Sequence, residues 1–441
     1  RSILRAEGEE ERSVVLEHHS AVDARENDQG DFHPGEVWRR LAAENWDAPI
    51  IVTTTVQLFQ SLFACRTQGA RKLHRIAESV IILDEAQSLP VPLLTPILDA
   101  LQQICTHYGA SVVLSTATQP AFDTIPAFAR LTAREIVPDP ARHFAALRRV
   151  NYEWRTETPV SWSMVAEMMW DEPTVLTIVN TKRDAMALLD ALNDPEALHL
   201  STLLCGIHRR QVIEEVKRRL AAGLPCRLVT TQVVEAGVDL DFPLVLRALA
   251  PLDGIIQAAG RCNREGKLVH GRVIVFQPAE GGLPKGDYER GVQGTRLLLS
   301  AGKLDPDDPA TSRRYFEWLF QRTDLDKHNI QELRKAMDYP EVARRFRMID
   351  EQTESVVVLF GTSKTKELVQ RSLDRLRTDK GSSRGVFRAL QPYLVSLRPG
   401  EATRNSRWII PIIDGLGLWT GRYDQIRGLL AEDPEPEAWV V

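Results

Sequence analysis

Cysteine is scarce and scattered. The five residues Cys65, Cys105, Cys205, Cys226 and Cys262 form no C-x-x-C pair, which speaks against a zinc site or a disulfide framework and fits a reducing, cytoplasmic compartment. No apolar run approaches the ~20 residues that span a bilayer, and no signal peptide is present, so no membrane association is expected. Positive charge is not in excess: 55 Lys and Arg stand against 60 Asp and Glu, a net charge of −5. Any nucleic acid must therefore be held by local stripes rather than by a global field. There is no low-complexity tract, and no internal repeat beyond a weak likeness between two α/β series. The first residue is Arg1 and the opening line reads as mid-domain sequence, so the chain is expected to be a fragment. One further absence, a glycine-rich phosphate loop with its lysine, matters because of what is present.

The 441 residues, 43% apolar and 26% charged, suit a globular chain of two to four domains. Residues 1–140 alternate strand-like runs with helical patterns. "SVVLEH", "PIIVTT", "SVIILDE" and "SVVLSTAT" each end in polar residues, as fully buried parallel strands do, with the chemistry at their carboxyl ends. "VPDPARH" (137–143) is a Pro-rich break. A second series, 141–278, runs through "TVLTIVNT", "ALHLST", "CRLVTTQ", "LVLRAL" and "GRVIVFQP", with a helix expected over 208–222. Residues 279–354 read as a linker rich in Pro, Gly and Asp followed by a basic helical segment. Residues 355–441 read as a small mixed C-terminal domain. The fold class is α/β, with two parallel-sheet domains.

In "IILDEAQSLP" (81–90) an apolar strand stops at two acids. Such a pair divides labour in nucleoside triphosphatases: Asp84 to hold Mg²⁺, largely through water, and Glu85 to orient and deprotonate the attacking water. The same residues also suit the opening of a helix, where the macrodipole favours acids. "LSTATQP" (114–120) places Ser115, Thr116 and Thr118 at the next strand end, where they can bond the carboxylates and relay their state, or simply make a turn. The strongest signal is "TTQVVEAGVDLDFP" (230–243) followed by "QAAGRCNREG" (257–266). On a helix, Gln257, Arg261 and Arg264 share one face, and two guanidiniums with an amide suit a transferring γ-phosphoryl group.

Together with "VVLEHHSA" (14–21), "PIIVTTTVQLFQSLF" (49–63), "IVNTKRDA" (178–185), "LSTLLCGIHRR" (200–210) and "LAPLDGIIQAAGRCNREG" (249–266), these motifs resemble, in order, those of a superfamily 2 helicase. The chain is most similar to the helicase–nuclease of type I CRISPR systems, the enzyme recruited by the Cascade surveillance complex. The likeness spans about residues 14–276, and "LWTGRYDQIRGL" (418–429) faintly resembles that family's last domain. The resemblance implies two RecA-like domains, the first truncated, with a linker and a small C-terminal domain. It implies ATP and Mg²⁺ as cofactors, single-stranded DNA and Cascade as partners, and movement of the strand 3′ to 5′ toward a nuclease domain that the family carries ahead of the helicase. Gly237 and Asp239 would sit near the ribose, and Gln87 and Ser115 would couple hydrolysis to movement.

Two family parts, the nuclease domain with its His–Asp metal motif and the phosphate loop, are expected upstream. One decoy stands at 356–370: Gly361, Lys364 and Thr365 have the residue types of the loop but not its spacing. His18, His19 and Asp23 have metal-ligand types, yet the resemblance makes this the segment that meets DNA through His19 and Ser20. Thr53, Thr54, Asn180, Thr181, Arg209, Thr230 and Thr231 are the further candidates for holding the DNA backbone, although each threonine equally suits strand packing. Two other readings stay open: another DExH-type DNA or RNA helicase, and a non-catalytic DNA-binding fragment.

Overall fold

Four short strands carry the first α/β series. They are β1 (Val15–His18), β2 (Ile50–Thr53), β3 (Val80–Asp84) and β4 (Ser111–Ser115), all within the runs read as strands. They pair in parallel, β1 with β2 and β3 with β4. The computed structural model describes residues 14–19, 41–129, 133–235, 237–349, 353–378 and 384–431. Ser20 and Asp23 lie outside these residues. Chain contacts divide the protein into two units, one of Arg1–Ile136 with Phe316–Asp350 and one of Val137–Tyr315 with Glu351–Val441.

The core of the first unit is helical. Leu58 and Phe59 of the helix Thr55–Leu62 are buried, as are Leu94, Ile97, Leu98, Leu101 and Ile104 of the helix Leu94–His107. Residues 279–354, read as linker and helical segment, are differently organised. The helix Asp287–Ser300 already occupies much of the stretch read as linker. The segment from Phe316 onward belongs with the first unit, because its aromatic and basic side chains have partners there. Phe346 stacks on Phe63 with ring centroids 3.9 Å apart, Phe320 stacks on Phe122, and Arg334 pairs with Asp99. The strands also differ from the fully buried reading. Val80 and Ile82 remain 68% and 67% exposed, and Ile50 and Val52 are exposed on β2, because among the described residues the two strand pairs form separate sheets with that face uncovered.

The second series folds as an α/β layer around one six-stranded, wholly parallel sheet. Its strands are β5 (Val150–Val160), β6 (Thr174–Ile178), β7 (Leu198–Leu200), β8 (Cys226–Thr230), β9 (Leu244–Ala248) and β10 (Gly271–Pro278), in the order β5-β10-β9-β6-β8-β7. Strand alternation splits the apolar residues between two cores. Leu176, Ile178, Val245, Val273 and Val275 face one side with Val212 and Val216 of the helix Gly206–Ala221, while Val175, Leu244, Leu246, Ile274 and Phe276 face the other. Burial on both faces is what the β-branched and leucine runs are suited to.

The last domain is a mixed four-stranded sheet, β12-β11-β14-β13, of β11 (Glu354–Val357), β12 (Leu394–Leu397), β13 (Ile409–Ile413) and β14 (Leu416–Trp419). Val369 and Leu373 of the helix Ser363–Thr378 cover one face. The other face buries Val356, Phe360 and Trp419 against Leu203, Cys205 and Ile207 at the start of the helix Gly206–Ala221. A short ribbon, β15 (Tyr423–Asp424) with β16 (Gly428–Leu429), closes this junction. Gly428 has φ +79°, and a Cβ there would lie 2.5 Å from the Leu203 carbonyl oxygen, so only glycine lets Leu429 N–H donate to that oxygen at 3.1 Å. In this domain Gly361 lies between β11 and the helix Ser363–Thr378, and Lys364 and Thr365 lie in that helix's first turn, where the hydroxyls of Thr362 and Thr365 bond each other at 3.0 Å.

Candidate functional site

In the first unit the carboxyl ends of β3 and β4 bring six candidate residues together. The register sets Asp84 opposite Ser115, and Ser115 Oγ donates to Asp84 Oδ1 at 3.1 Å. Glu85 follows with φ +54°, an uncommon conformation for a residue with a side chain. That turn lets Gln87 Nε2 donate to Glu85 Oε2, while Gln87 Oε1 accepts from Thr116 Oγ1. Thr118 N–H donates to Thr116 Oγ1 at 3.1 Å, and Thr118 itself is buried. A side-chain chain therefore runs from Glu85 through Gln87 to Thr116. Asp84 is exposed at the strand end. A single solvent-facing carboxylate fits Mg²⁺, which keeps several waters and takes its remaining ligands from phosphates.

In the same unit, β1 and β2 place His18, His19, Thr53 and Thr54 at one end of a strand pair. Thr53 Oγ1 donates to the His18 carbonyl, and Thr54 caps the helix Thr55–Leu62 by accepting from Gln57 N–H. His18 is engaged: its Nδ1 accepts from Trp46 Nε1–H at 2.9 Å, and Lys72 lies over the Trp46 ring. Burial, with Lys72 and His19 nearby, lowers the His18 pKa. Trp46 and Lys72 are not among the residues legible as functional in the sequence. Their separation along the chain left no local pattern to find.

In the second unit the arginines are arranged differently from the shared helical face. The helix Leu252–Ala259 stops at Gly260, so only Gln257 lies on it. Cys262 is drawn into the core, Phe242 bridges to it, and Asn263 takes φ +47° while donating to the carbonyls of Arg149 and Leu268. These contacts break the helix before Arg261. Arg261 is nearly buried and donates to the carbonyls of Val234 and Glu235 at 2.8 and 2.6 Å. Arg264 stays 46% exposed and pairs with Asp239 at 2.7 Å. Gly237 has φ +74° with open space around it.

The remaining strand-end candidates divide into accessible and enclosed. Thr181 caps the helix Lys182–Leu192, accepting from Asp184 N–H at 3.1 Å. Arg209 is half-buried on the helix Gly206–Ala221. Thr230 and Thr231 are buried, and Thr230 Oγ1 donates to the Leu200 carbonyl at 2.7 Å. Asn180 is enclosed: Nδ2 donates to the Leu249 carbonyl, and Oδ1 accepts from Arg247 and Tyr288. Sequence reasoning missed Arg247, Glu235 and Tyr288. The one available signal was an arginine inside the apolar run "LVLRAL". Burial pushes Glu235 up to about 7 against the opposing pull of Arg247. Because Thr181 is a cap, Thr181→Ala is expected to cost about 1 kcal/mol of stability by denaturant unfolding, whatever it does to ligand binding.

Residues 171–267 match the family model described as CRISPR-associated nuclease/helicase Cas3, C-terminal. A CRISPR-associated nuclease/helicase Cas3 of Haloferax volcanii is 27% identical over 54% of this chain and 35% of its own length. The chain thus spans about a third of that relative. Among solved structures, T. fusca Cas3 with ATP superposes with a TM-score of 0.59 over 87% of this chain and 57% of that one, at 16% identity. A chain of a CRISPR RNA-guided surveillance complex, pre-nicking, gives 0.55 over 88% and 61%, also at 16%. At that identity the superpositions speak for the fold, and among the described residues no helix is long and apolar enough to cross a membrane. Residues 171–267 are thus similar to the C-terminal part of CRISPR-associated nuclease/helicase Cas3, and the chain shares its fold with solved Cas3 structures.

Proposed function

We propose that this chain is the motor portion of a CRISPR-defence helicase, one that uses ATP hydrolysis to move along single-stranded DNA so that a nuclease domain can degrade it. The observation that carries the reading is the Glu85–Gln87–Thr116 chain beside the Asp84–Ser115 pair at adjoining parallel strand ends. A triphosphatase needs one carboxylate for the metal and one for water, and a motor needs the second linked to groups that respond to hydrolysis. When bound, Mg²⁺ supplies charge neutralisation of the phosphates. Asp84 would hold it, Glu85 would take the proton of the attacking water, and Gln87 would keep the Glu85 carboxylate oriented. Arg264, exposed and tethered to Asp239, is suited to meet the γ-phosphate, with Gln257 on the helix before it. Arg261 serves by holding the backbone at Val234 and Glu235, while Gly237 and Asp239 provide the ribose contact. The T. fusca relative solved with ATP supports the nucleotide, and the surveillance-complex relative supports Cascade as a partner.

DNA binding offers the direct test. The chain is expected to bind labelled single-stranded DNA weakly and without sequence preference, with affinity falling steeply between about 50 and 200 mM salt. Arg209→Ala should weaken all sequences alike, because a phosphate contact carries no base information. Fluorescence anisotropy reads both. Tighter binding of duplex than of single strand would sink the translocase reading.

A further inference from the structure

An arginine in the middle of a central parallel strand has to be accounted for. Arg247 of β9 is fully buried, and removing a guanidinium from water costs several kcal/mol unless its donors are met. The guanidinium meets them at both Nη groups, from several elements, while its Nε has no partner among the described residues. Its Nη2 donates to Glu235 Oε1 at 2.8 Å and to Tyr288 OH at 3.0 Å; its Nη1 donates to Asn180 Oδ1 at 2.8 Å and to the Ala248 carbonyl at 2.9 Å. Tyr288 OH closes the ring by donating to Asn180 Oδ1 at 2.7 Å. Asn180 follows β6, Glu235 follows the short turn Gln232–Val234, and Tyr288 lies on the helix Asp287–Ser300. The helix Leu252–Ala259 comes close enough that a Cβ on Gly254 would lie 3.4 Å from Glu235 Oε2 and 3.6 Å from Arg247 Nη2.

The cluster grips one short piece of backbone from two sides. Arg247 holds Glu235 by its side chain, and Arg261 holds Val234 and Glu235 by their carbonyls. A third tie comes from Gln232 Nε2, which donates to the Asn180 carbonyl at 2.8 Å. The gripped segment follows Thr230 and Thr231 directly and leads to Gly237 and Asp239.

We propose that Arg247 is a positioning residue: through Glu235, Asn180 and Tyr288 it locks the backbone of Gln232–Glu235 in one conformation, and so sets the strand-end residues on one side and the Asp239–Arg264 pair on the other. This rests on the helicase reading for its purpose, but not for its geometry. A guanidinium is suited to the task because its rigid fork reaches three side chains at once, which a lysine cannot.

The test is hydrogen exchange on the full chain, with no DNA or nucleotide present. Arg247→Met leaves the Glu235 carboxylate buried and unpaired, and its thermal midpoint should fall. Arg247→Met with Glu235→Gln removes both charges and should recover most of that midpoint. In both variants the amides of Val233, Val234 and Glu235 should exchange at least about tenfold faster, while those of β6 in the double variant stay near wild type. Wild-type exchange at 233–235 in the double variant would mean that Arg247 merely neutralises Glu235, and would overturn the proposal. Should Arg247→Met fail to fold, Tyr288→Phe removes only the hydroxyl between Arg247 and Asn180. Several-fold faster exchange at 233–235 supports the proposal, and unchanged exchange there overturns it. Failure of the wild-type chain to bind single-stranded DNA would count against the helicase reading and leave the exchange result standing.

Discussion

Glu85→Gln is expected to lower ATP turnover by about a thousandfold, measured once this chain is joined to a phosphate-loop segment. The substitution keeps the size of the side chain and its bond to Gln87, and removes only the ability to take a proton from water. Nucleotide binding should stay within a few-fold, because the lost interaction forms mainly in the transition state. Arg264→Ala should act in the same way, since an arginine finger is worth roughly 10³–10⁵ in rate. It also frees Asp239, whose carboxylate is its partner at 2.7 Å. A Glu85→Gln enzyme within tenfold of the wild-type kcat would remove Glu85 from the water-activating role. The 441-residue chain alone should hydrolyse ATP negligibly, because its sequence has no G-x-x-x-x-G-K-[ST] loop to cradle the β- and γ-phosphates.

Acidification is expected to unfasten the junction between the C-terminal ribbon and the six-stranded sheet. His199 of β7 is buried, with Nδ1–H donating to the Ile426 carbonyl at 3.1 Å and Nε2 meeting no partner among the described residues. Burial lowers its pKa to about 4. His208 is also lowered, first by burial. It is stacked on Phe360 and bonded to Tyr423 OH and the Gln425 carbonyl. Burial disfavours the protonated form of both imidazoles in the fold, whereas in the unfolded chain they take up protons below about pH 6.5. Their contribution is therefore complete above that pH and is lost as pH falls toward the folded-state values. At about 1.4 kcal/mol per pH unit, His199 alone accounts for roughly 3 kcal/mol by pH 4. Stability measured from pH 7 to 4.5 should fall less steeply for His199→Gln than for the wild type. Equal slopes would show that His199 does not titrate into a buried site.

What was legible in the sequence was whatever is local. The runs ending at Asp84, Ser115 and Thr230 fold as parallel strands, as their β-branched and leucine-rich composition suggests, but only the run ending at Thr230 lies in a sheet covered on both faces, whereas Val80 and Ile82 stay exposed. The helix read over 208–222 is there as Gly206–Ala221, since its apolar residues recur at helical spacing. The strand β5, the longest in the sheet, went unread, because its outer-edge position leaves Glu153, Arg155 and Glu157 exposed and its composition looks like loop.

Tertiary structure alone decided the rest. Gln257, Arg261 and Arg264 were read as one helical face, but the pull of Cys262 into the core ends the helix first and sends the two arginines to different partners. Asn180 looks in sequence like a side chain free to meet DNA, but Arg247 and Tyr288, 67 and 108 residues away, take both lone-pair directions of its amide oxygen. The segment after Phe316 reads as the sequel to a linker, yet its aromatic residues find their stacking partners in the first unit. In each case spacing along the chain specifies which face of an element a residue occupies. Which group fills the space opposite that face depends on residues that no local pattern connects, and the free energy of burying a polar or charged group is settled only by that neighbour.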